Sequence, residues 1–382
     1  MRLDIDGRNC ELESGRSILD AVKKEGLDSI MLSDRPLAAQ IGGEVFNLRF
    51  TPKKDTQIHL LRYGEDMGRR VYERTLQFLF ILAMRKEFPR ARVCVRYSLG
   101  PGLFITVDGM EEPFNEEAAL KVETEMRRLV RLKLPLERRR ISIKEALSFY
   151  EQDGQADKAK LLKWRRFSYF DVYQIDGYMD YFSGEMAPET SYADVFRVKY
   201  VHDGAVVLLM PRNDAPDVPS DYVDLPKLHA VFHQSDEWGK LMECATVNDL
   251  NTHIQNGTIR ELVRINEALH DRGYADIADK IVQKGAKAVL VAGPSSSGKT
   301  TSAHRISTQL RLQGCHPVML SLDDYYIDRD KIERDENGEI DLENINTLDI
   351  QRFGSDLAAL IRGEKVEVPR FDFTNGKRAP EG

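Results

Sequence analysis

Lys287-Ala288-Val289-Leu290-Val291-Ala292 runs directly into Gly293-Pro294-Ser295-Ser296-Ser297-Gly298-Lys299-Thr300, and this stretch decides the fold of the C-terminal quarter. A short apolar run of this kind reads as a strand buried on both faces of a parallel sheet. The octet after it has the spacing GxxxxGK[ST]. Downstream, Ala303, Ile306 and Leu310 fall at i, i+3 and i+7, and Gly314 closes the pattern, so a helix is predicted to start at the end of the octet. A strand, a glycine-rich loop and a helix N-terminus in that order make a cradle for phosphate. Gly293 and Gly298 admit close approach and backbone conformations that a Cβ would block, so successive N–H groups can point at an anion. Ser295, Ser296 and Ser297 add hydrogen bonds, Lys299 adds positive charge, and Thr300 offers a hydroxyl to Mg²⁺, with Thr301 beside it on the first helical turn.

On the C-terminal side, Val318-Met319-Leu320-Ser321-Leu322 reads as a second strand ending in Asp323-Asp324-Tyr325-Tyr326. In open α/β sheets ligands sit outside the carboxyl ends of strands, so Asp323 is expected to face the phosphate site. A carboxylate there can take the proton of an attacking hydroxyl or hold Mg²⁺ through water; Asp324 reads as a turn or cap residue. From the octet through Asp323-Asp324-Tyr325-Tyr326 to Val368-Pro369-Arg370-Phe371-Asp372-Phe373, residues 287–382 resemble the uridine kinase and phosphoribulokinase family. That resemblance implies ATP and Mg²⁺ as cofactors, Asp323 as the base acting with Lys299, and a nucleoside site that includes Tyr326, Asp341 and Phe371; Arg378 is added as a substrate residue from the polar edge that Asn375, Lys377 and Arg378 make, where this chain departs from the family. Gly376 stands where uridine kinases carry a histidine. Only 96 residues run from Lys287 to Gly382, against about 150 to 200 for a complete domain of this type, so the stretch is expected to be the front half of one.

On the N-terminal side, residues 1–62 alternate short β-type runs with one helix, which Ser17-Ile18-Leu19-Asp20 opens with capping-box spacing. Asp6-Gly7 and Gly42-Gly43 mark tight turns, and Gln57-Ile58-His59-Leu60-Leu61 supplies a last strand. This module resembles the TGS domain, a β-grasp fold at the front of threonyl-tRNA synthetases. In residues 63–205 two amphipathic helices are predicted, one from Met67 to Glu87 and one through Val122, Met126, Leu129 and Val130. With Leu134-Pro135-Leu136-Glu137-Arg138-Arg139 and Ile143-Lys144-Glu145-Ala146-Leu147, this α+β stretch resembles the synthetases' second additional domain, which houses their editing site. That family holds a metal there through HxxxH and CxxxH pairs. At the matching positions this chain has Arg74, Phe78, Phe182 and Met186, which cannot bind the metal, so editing chemistry is not expected.

Residues 206–284 read as a helical connector, and residues 285–382 as the kinase-like part, which is expected to form a partial parallel sheet around its P-loop. The fold expected for the whole is multidomain, α/β and α+β. His229 and His233 have i,i+4 spacing in the connector, but without a nearby third ligand they read as surface or structural residues. Composition sets the outer limits: 382 residues suit several domains, and 42% hydrophobic with 31% charged residues suits folded protein. A balance of 55 Lys+Arg against 62 Asp+Glu argues against a generic polyanion binder. Four scattered cysteines form no CxxC pair, and neither a signal peptide nor a membrane span is read, so a cytoplasmic protein without a membrane partner is expected. The leading expectation is transfer of the ATP γ-phosphoryl to a nucleoside hydroxyl. The alternative is a non-catalytic, nucleotide-responsive regulator that binds RNA or another ligand through its synthetase-like front.

Overall fold

The computed structural model describes residues 1–202, 204–332, 334, 341–342 and 344–379. They divide into two compact units, 1–252 and 253–382.

The first unit opens with β1 (Arg2–Ile5), β2 (Arg8–Glu11), α1 (Ile18–Lys24), β3 (Ala38–Ile41), β4 (Glu44–Phe46) and β5 (Thr56–Leu61). The five strands form one sheet ordered β2-β1-β5-β3-β4, in which β5 runs parallel to β1 and antiparallel to β3. Local chemistry accounts for its corners. Gly42 and Gly43 both have positive φ, at 57° and 89°, as a two-residue type I′ turn between β3 and β4 requires. The capping box is formed: Ser17 Oγ accepts from the Asp20 N–H at 3.2 Å, and the Asp20 carboxylate accepts from the Ser17 N–H at 2.8 Å.

The chain continues through α2 (Asp66–Glu87), β6 (Arg92–Leu99), β7 (Gly102–Asp108), α3 (Glu116–Leu132), β8 (Glu137–Ser142), α4 (Ile143–Gln152), α5 (Ala156–Leu162), β9 (Tyr169–Ile175), β10 (Tyr178–Asp180), β11 (Arg197–His202) and β12 (Ala205–Leu209). Helix α2 is apolar around most of its circumference and is buried accordingly, from Val71 and Tyr72 to Ala83 and Met84. It shares one core with the first sheet and with Leu103, Ile105, Val206 and Leu208 of an antiparallel sheet ordered β11-β12-β7-β6. The alternate residues of that sheet, Phe104, Ala205, Val207 and Leu209, form a separate cluster on its opposite face, as the period of two dictates. A three-stranded sheet, β10-β9-β8, packs with α4 and α5 around Ile141, Tyr150, Leu162 and Val172. The loop before β3 is fastened to the rest by Arg35, whose guanidinium meets Asp194 at 2.8 and 3.0 Å and donates to the Tyr192 carbonyl at 3.2 Å. Helix α6 (Pro226–Leu241) follows without a single buried residue, and α7 (Val247–Asn256) carries the point where the units divide.

The second unit contains α8 (Ile259–Gln283), α9 (Lys299–Leu312), α10 (Ile350–Ile361) and a short hairpin of β13 (Phe371–Asp372) with β14 (Lys377–Arg378). Helix α9 starts at the end of the glycine-rich octet and gives way to Gly314 at φ 79°, as the spacing predicts. The partial parallel sheet is a different matter, because among the described residues neither 287–292 nor 318–322 pairs into a ladder. Both runs are largely exposed, with Leu290 83% and Val318 65% accessible. A parallel strand draws its stability from hydrogen-bonded neighbours and from cover on both faces, and the described residues supply neither. No helix among the described residues is long and apolar enough to cross a membrane.

Replacing Asp194 by Ala leaves the buried Arg35 guanidinium without its carboxylate, and the loss of an ion-pair partner of this kind costs about 3 to 5 kcal/mol. Urea denaturation of the Asp194→Ala protein is expected to show a loss of that size. A change under about 1 kcal/mol would mean that solvent compensates the pair.

Candidate functional site

The glycine-rich loop has the backbone of an anion cradle. Ser296 and Gly298 both lie in the left-handed region, at φ 59° and 84°, and alternation of this kind turns successive N–H groups to one side of a loop. Gly298 caps α9 with no side-chain hydrogen bond to the first turn, so the N-terminal N–H groups of a 14-residue helix face outward beside the loop. A Cβ at Gly293 would lie 2.7 Å from Ser297 Oγ, so a side chain there would force the serine hydroxyl to turn away from its place in the loop. Lys299 folds back over it and donates from Nζ to the Pro294 carbonyl at 3.0 Å. These features fit a bound phosphate: several N–H donors, one mobile ammonium held by a single neutral acceptor, and the Thr300 and Thr301 hydroxyls on the first turn.

The cradle is positioned from behind by α8. Arg305 pairs with Asp271 at 3.0 Å, Gln313 donates to Asp279 at 2.6 Å, and the Tyr274 and Ser302 hydroxyls are 3.3 Å apart. Ala278, Ile306 and Leu310 close the interface with Tyr274 and Ile281 at its edge. Reading the sequence for chemistry alone passes over these supports. Tyr274, Ala278 and Ile281 at i, i+4 and i+7 are the signal that could have found them.

Asp323 lies in a single helical turn, Leu322–Tyr325, and its carboxylate is exposed. Its neighbour Asp324 accepts from the Phe371 N–H at 3.3 Å and so has a structural task. Tyr325 is fully buried, donates to Asp356 at 3.1 Å and stacks edge-on against Phe353. Burial, and then that hydrogen bond, pushes its phenol up to about 12, so it remains a donor at physiological pH. Tyr326 faces outward instead, in an aromatic group with Phe371 and Phe373 at centroid distances of 5.6 and 6.2 Å, and its hydroxyl donates to the Leu342 carbonyl at 3.1 Å. That bond brings the chain next to Asp341 alongside the rings. The Arg378 guanidinium is engaged within the protein, donating to the Tyr326 carbonyl at 3.1 Å and pairing with Asp349 at 3.0 Å. Gly376 adopts φ 65°, and a Cβ there would lie 2.6 Å from Arg329 Cδ, which explains why this turn carries no side chain. The structure therefore assembles two groups: the phosphate cradle on α9, and a carboxylate-flanked aromatic group around Tyr326 and Phe371.

In the first unit, the four positions that stand for metal ligands do converge, without ligating atoms. Phe78 is fully buried with its ring 5.3 Å from that of Phe182, Met186 is fully buried in the same core, and Arg74 Nε donates to the Glu185 carbonyl at 2.9 Å. The Asn47 side-chain amide and Thr75 Oγ1 tie the same segment down through Met186 O at 2.8 Å and the Ala187 N–H at 2.9 Å.

Comparison with known proteins agrees with this division. Residues 288–382 match the phosphoribulokinase / uridine kinase family. The N-terminal half is similar to threonine–tRNA ligases. The chain thus joins a kinase-family segment to a synthetase-like front. The ligase of Clostridium kluyveri is 25% identical over 194 residues, covering 50% of this chain and 30% of the ligase. That of Carboxydothermus hydrogenoformans is 27% identical over 168 residues, covering 44% and 26%, and that of Acetivibrio thermocellus is 28% identical over 160 residues, covering 41% and 24%. The chain therefore spans less than a third of the length of these relatives.

Phe78→Ala should open a cavity at the converged positions and cost about 3 to 5 kcal/mol in urea denaturation. Zinc uptake should be the same in Phe78→Ala, Phe182→Ala and the unaltered protein; a metal equivalent lost with either substitution would show that these positions still serve a ligand.

Proposed function

We propose that the chain carries the ATP-handling part of a nucleoside kinase, attached to a front that keeps the form of a synthetase editing region but not its metal chemistry. The observation that carries this reading is the cradle itself. Its left-handed pair, uncapped helix N-terminus and retracted lysine stand in a segment that matches the phosphoribulokinase / uridine kinase family. On this reading residues 1–62 are a TGS-like β-grasp module, 63–205 an editing-like domain whose last strand β12 runs on to Leu209, 206–284 a helical connector whose α8 packs with the cradle, and 285–382 kinase sequence, in a cytoplasmic protein. The β-grasp reading is supported by the order β2-β1-β5-β3-β4 with its parallel β1-β5 pair.

Bound ATP·Mg²⁺ supplies the phosphoryl group and the cation that offsets charge during its transfer. Lys299 Nζ, now on the Pro294 carbonyl, would donate to the phosphates together with the N–H groups of 295–301, and Thr300 Oγ1 would hold the Mg²⁺. The nucleoside base stacks on Tyr326 and Phe371, with Asp341 as a hydroxyl acceptor. The Asp323 carboxylate takes the proton of the attacking hydroxyl as its oxygen bonds to the γ-phosphorus, the bond to the bridging oxygen breaks, and ADP departs. Arg378 acts in this scheme by holding Tyr326 in place from behind.

The second reading is a nucleotide-responsive regulator that contacts RNA or another ligand and uses the same cradle without turnover; the replacement of metal ligands by Arg74, Phe78, Phe182 and Met186 is compatible with both readings. Turnover separates the two. With Mg-ATP and a panel of nucleosides, Lys299→Ala is expected to lower both ATP affinity and rate, because its contact serves ground and transition states alike. Asp323→Asn is expected to lower kcat by about 10² to 10⁴ while keeping ATP affinity, since it cannot accept the proton. Near-normal kcat in Asp323→Asn would demote Asp323 to a turn residue. ATP binding without turnover for any nucleoside would favour the regulator.

A further inference from the structure

In the first unit, two histidines meet and a third lies near them where α6 lies on the outer face of the four-stranded sheet. His202 ends β11, and its Nε2 is 3.3 Å from Nε2 of His229 on α6. The other ring nitrogen of His229, Nδ1, is hydrogen-bonded to the Tyr97 hydroxyl at 2.8 Å. His233 is exposed one helical turn further along, with its ring centroid 6.4 Å from that of His229. Aromatic rings wall the place: Phe104 lies 4.8 Å from the His229 ring, and Phe232 stacks on Tyr97 at 4.1 Å.

We propose that His202, His229 and His233 form a binding site for a borderline divalent transition cation of the Zn²⁺ class. The spacing carries the proposal. Two imidazole nitrogens at about 2.0 to 2.1 Å from a tetrahedral zinc stand about 3.3 to 3.4 Å from each other, which is the His202–His229 separation. The Tyr97 contact acts in the same direction. When His229 Nδ1 carries the proton and donates to the phenol oxygen, Nε2 is left with its lone pair toward His202, the outer-sphere arrangement that orients metal-binding histidines.

Among the described residues no three His, Cys, Asp or Glu side chains are already grouped around one cation position. The site is a two-nitrogen seat that His233 completes by turning its side chain, since i and i+4 share a helix face. Nitrogen donors alone favour zinc, nickel or copper over magnesium or calcium. Water fills the remaining position. The cation would clamp α6, which buries none of its own residues, to β11 of the sheet. The site goes beyond the kinase reading and does not rest on it.

The untagged full chain, stripped of metal, is titrated with Zn²⁺ against a chromogenic chelator and with Co²⁺ by visible absorption. The proposal expects one equivalent at pH 7.5 with a four-coordinate Co²⁺ spectrum, lost on acidification because protons compete with the metal for its ligands. His202→Gln and His229→Ala should each weaken binding at least tenfold, Tyr97→Phe about tenfold as loss of an outer-sphere partner does, and His253→Ala not at all. His233→Ala, on an exposed helix turn, should weaken binding without disturbing the fold and keeps the test open if His229→Ala unfolds. Absence of a stoichiometric equivalent, or equal affinity in the unaltered, His202→Gln and His233→Ala proteins, would overturn the site.

Discussion

Helix α9 can aim its first N–H groups at a phosphate because α8 holds it from behind. Without the Arg305–Asp271 pair, the Tyr274–Ser302 contact and the small core of Ala278, Ile306 and Leu310, the octet would be a glycine-rich loop on a 14-residue helix with nothing to fix its direction. A preorganised donor array is useful only if its geometry is set before the ligand arrives. The same constraint explains why a helix that reads as connector in the sequence belongs with the cradle in the second unit. Around Tyr326 the logic is similar: the Arg378 guanidinium and the Asp324 carboxylate are engaged with backbone, and this leaves the Tyr326 and Phe371 rings held rather than free.

In the front, residues 182–186 pack against α2 through side chains that cannot ligate a metal. Arg74 and Phe78 on α2 still face residues 182–186, as a ligand set would, but the space is occupied by Phe78, Phe182 and Met186 packed into the main core. Thioether and phenyl groups in that position contribute packing and exclude water. These side chains form a packed joint between α2 and the segment before β11.

Features set by local chemistry were legible in the sequence. The Ser17–Asp20 capping box, the Gly42-Gly43 turn and the start of α9 after Gly298 each depend on a few adjacent residues, and each is formed. Residues 287–292 show the opposite case: an apolar run reveals strand propensity but not whether neighbours exist, and here no ladder forms among the described residues. His202 was overlooked for a related reason. It lies 27 residues before His229, and only the packing of α6 across the sheet brings them together. Arg378 was read as a substrate edge from its neighbours in the chain, whereas its partners Tyr326 and Asp349 are 52 and 29 residues away.

The central claim is that residues 293–301 form a preorganised phosphate cradle on α9. Hydrogen exchange of the full chain with and without Mg-ATP measures this directly, because N–H groups that donate to phosphate exchange more slowly. Protection is predicted across 293–302, with the α8–α9 interface already protected before ligand is added. Unchanged exchange at 293–302 under saturating Mg-ATP, or protection appearing only elsewhere in the chain, would contradict it.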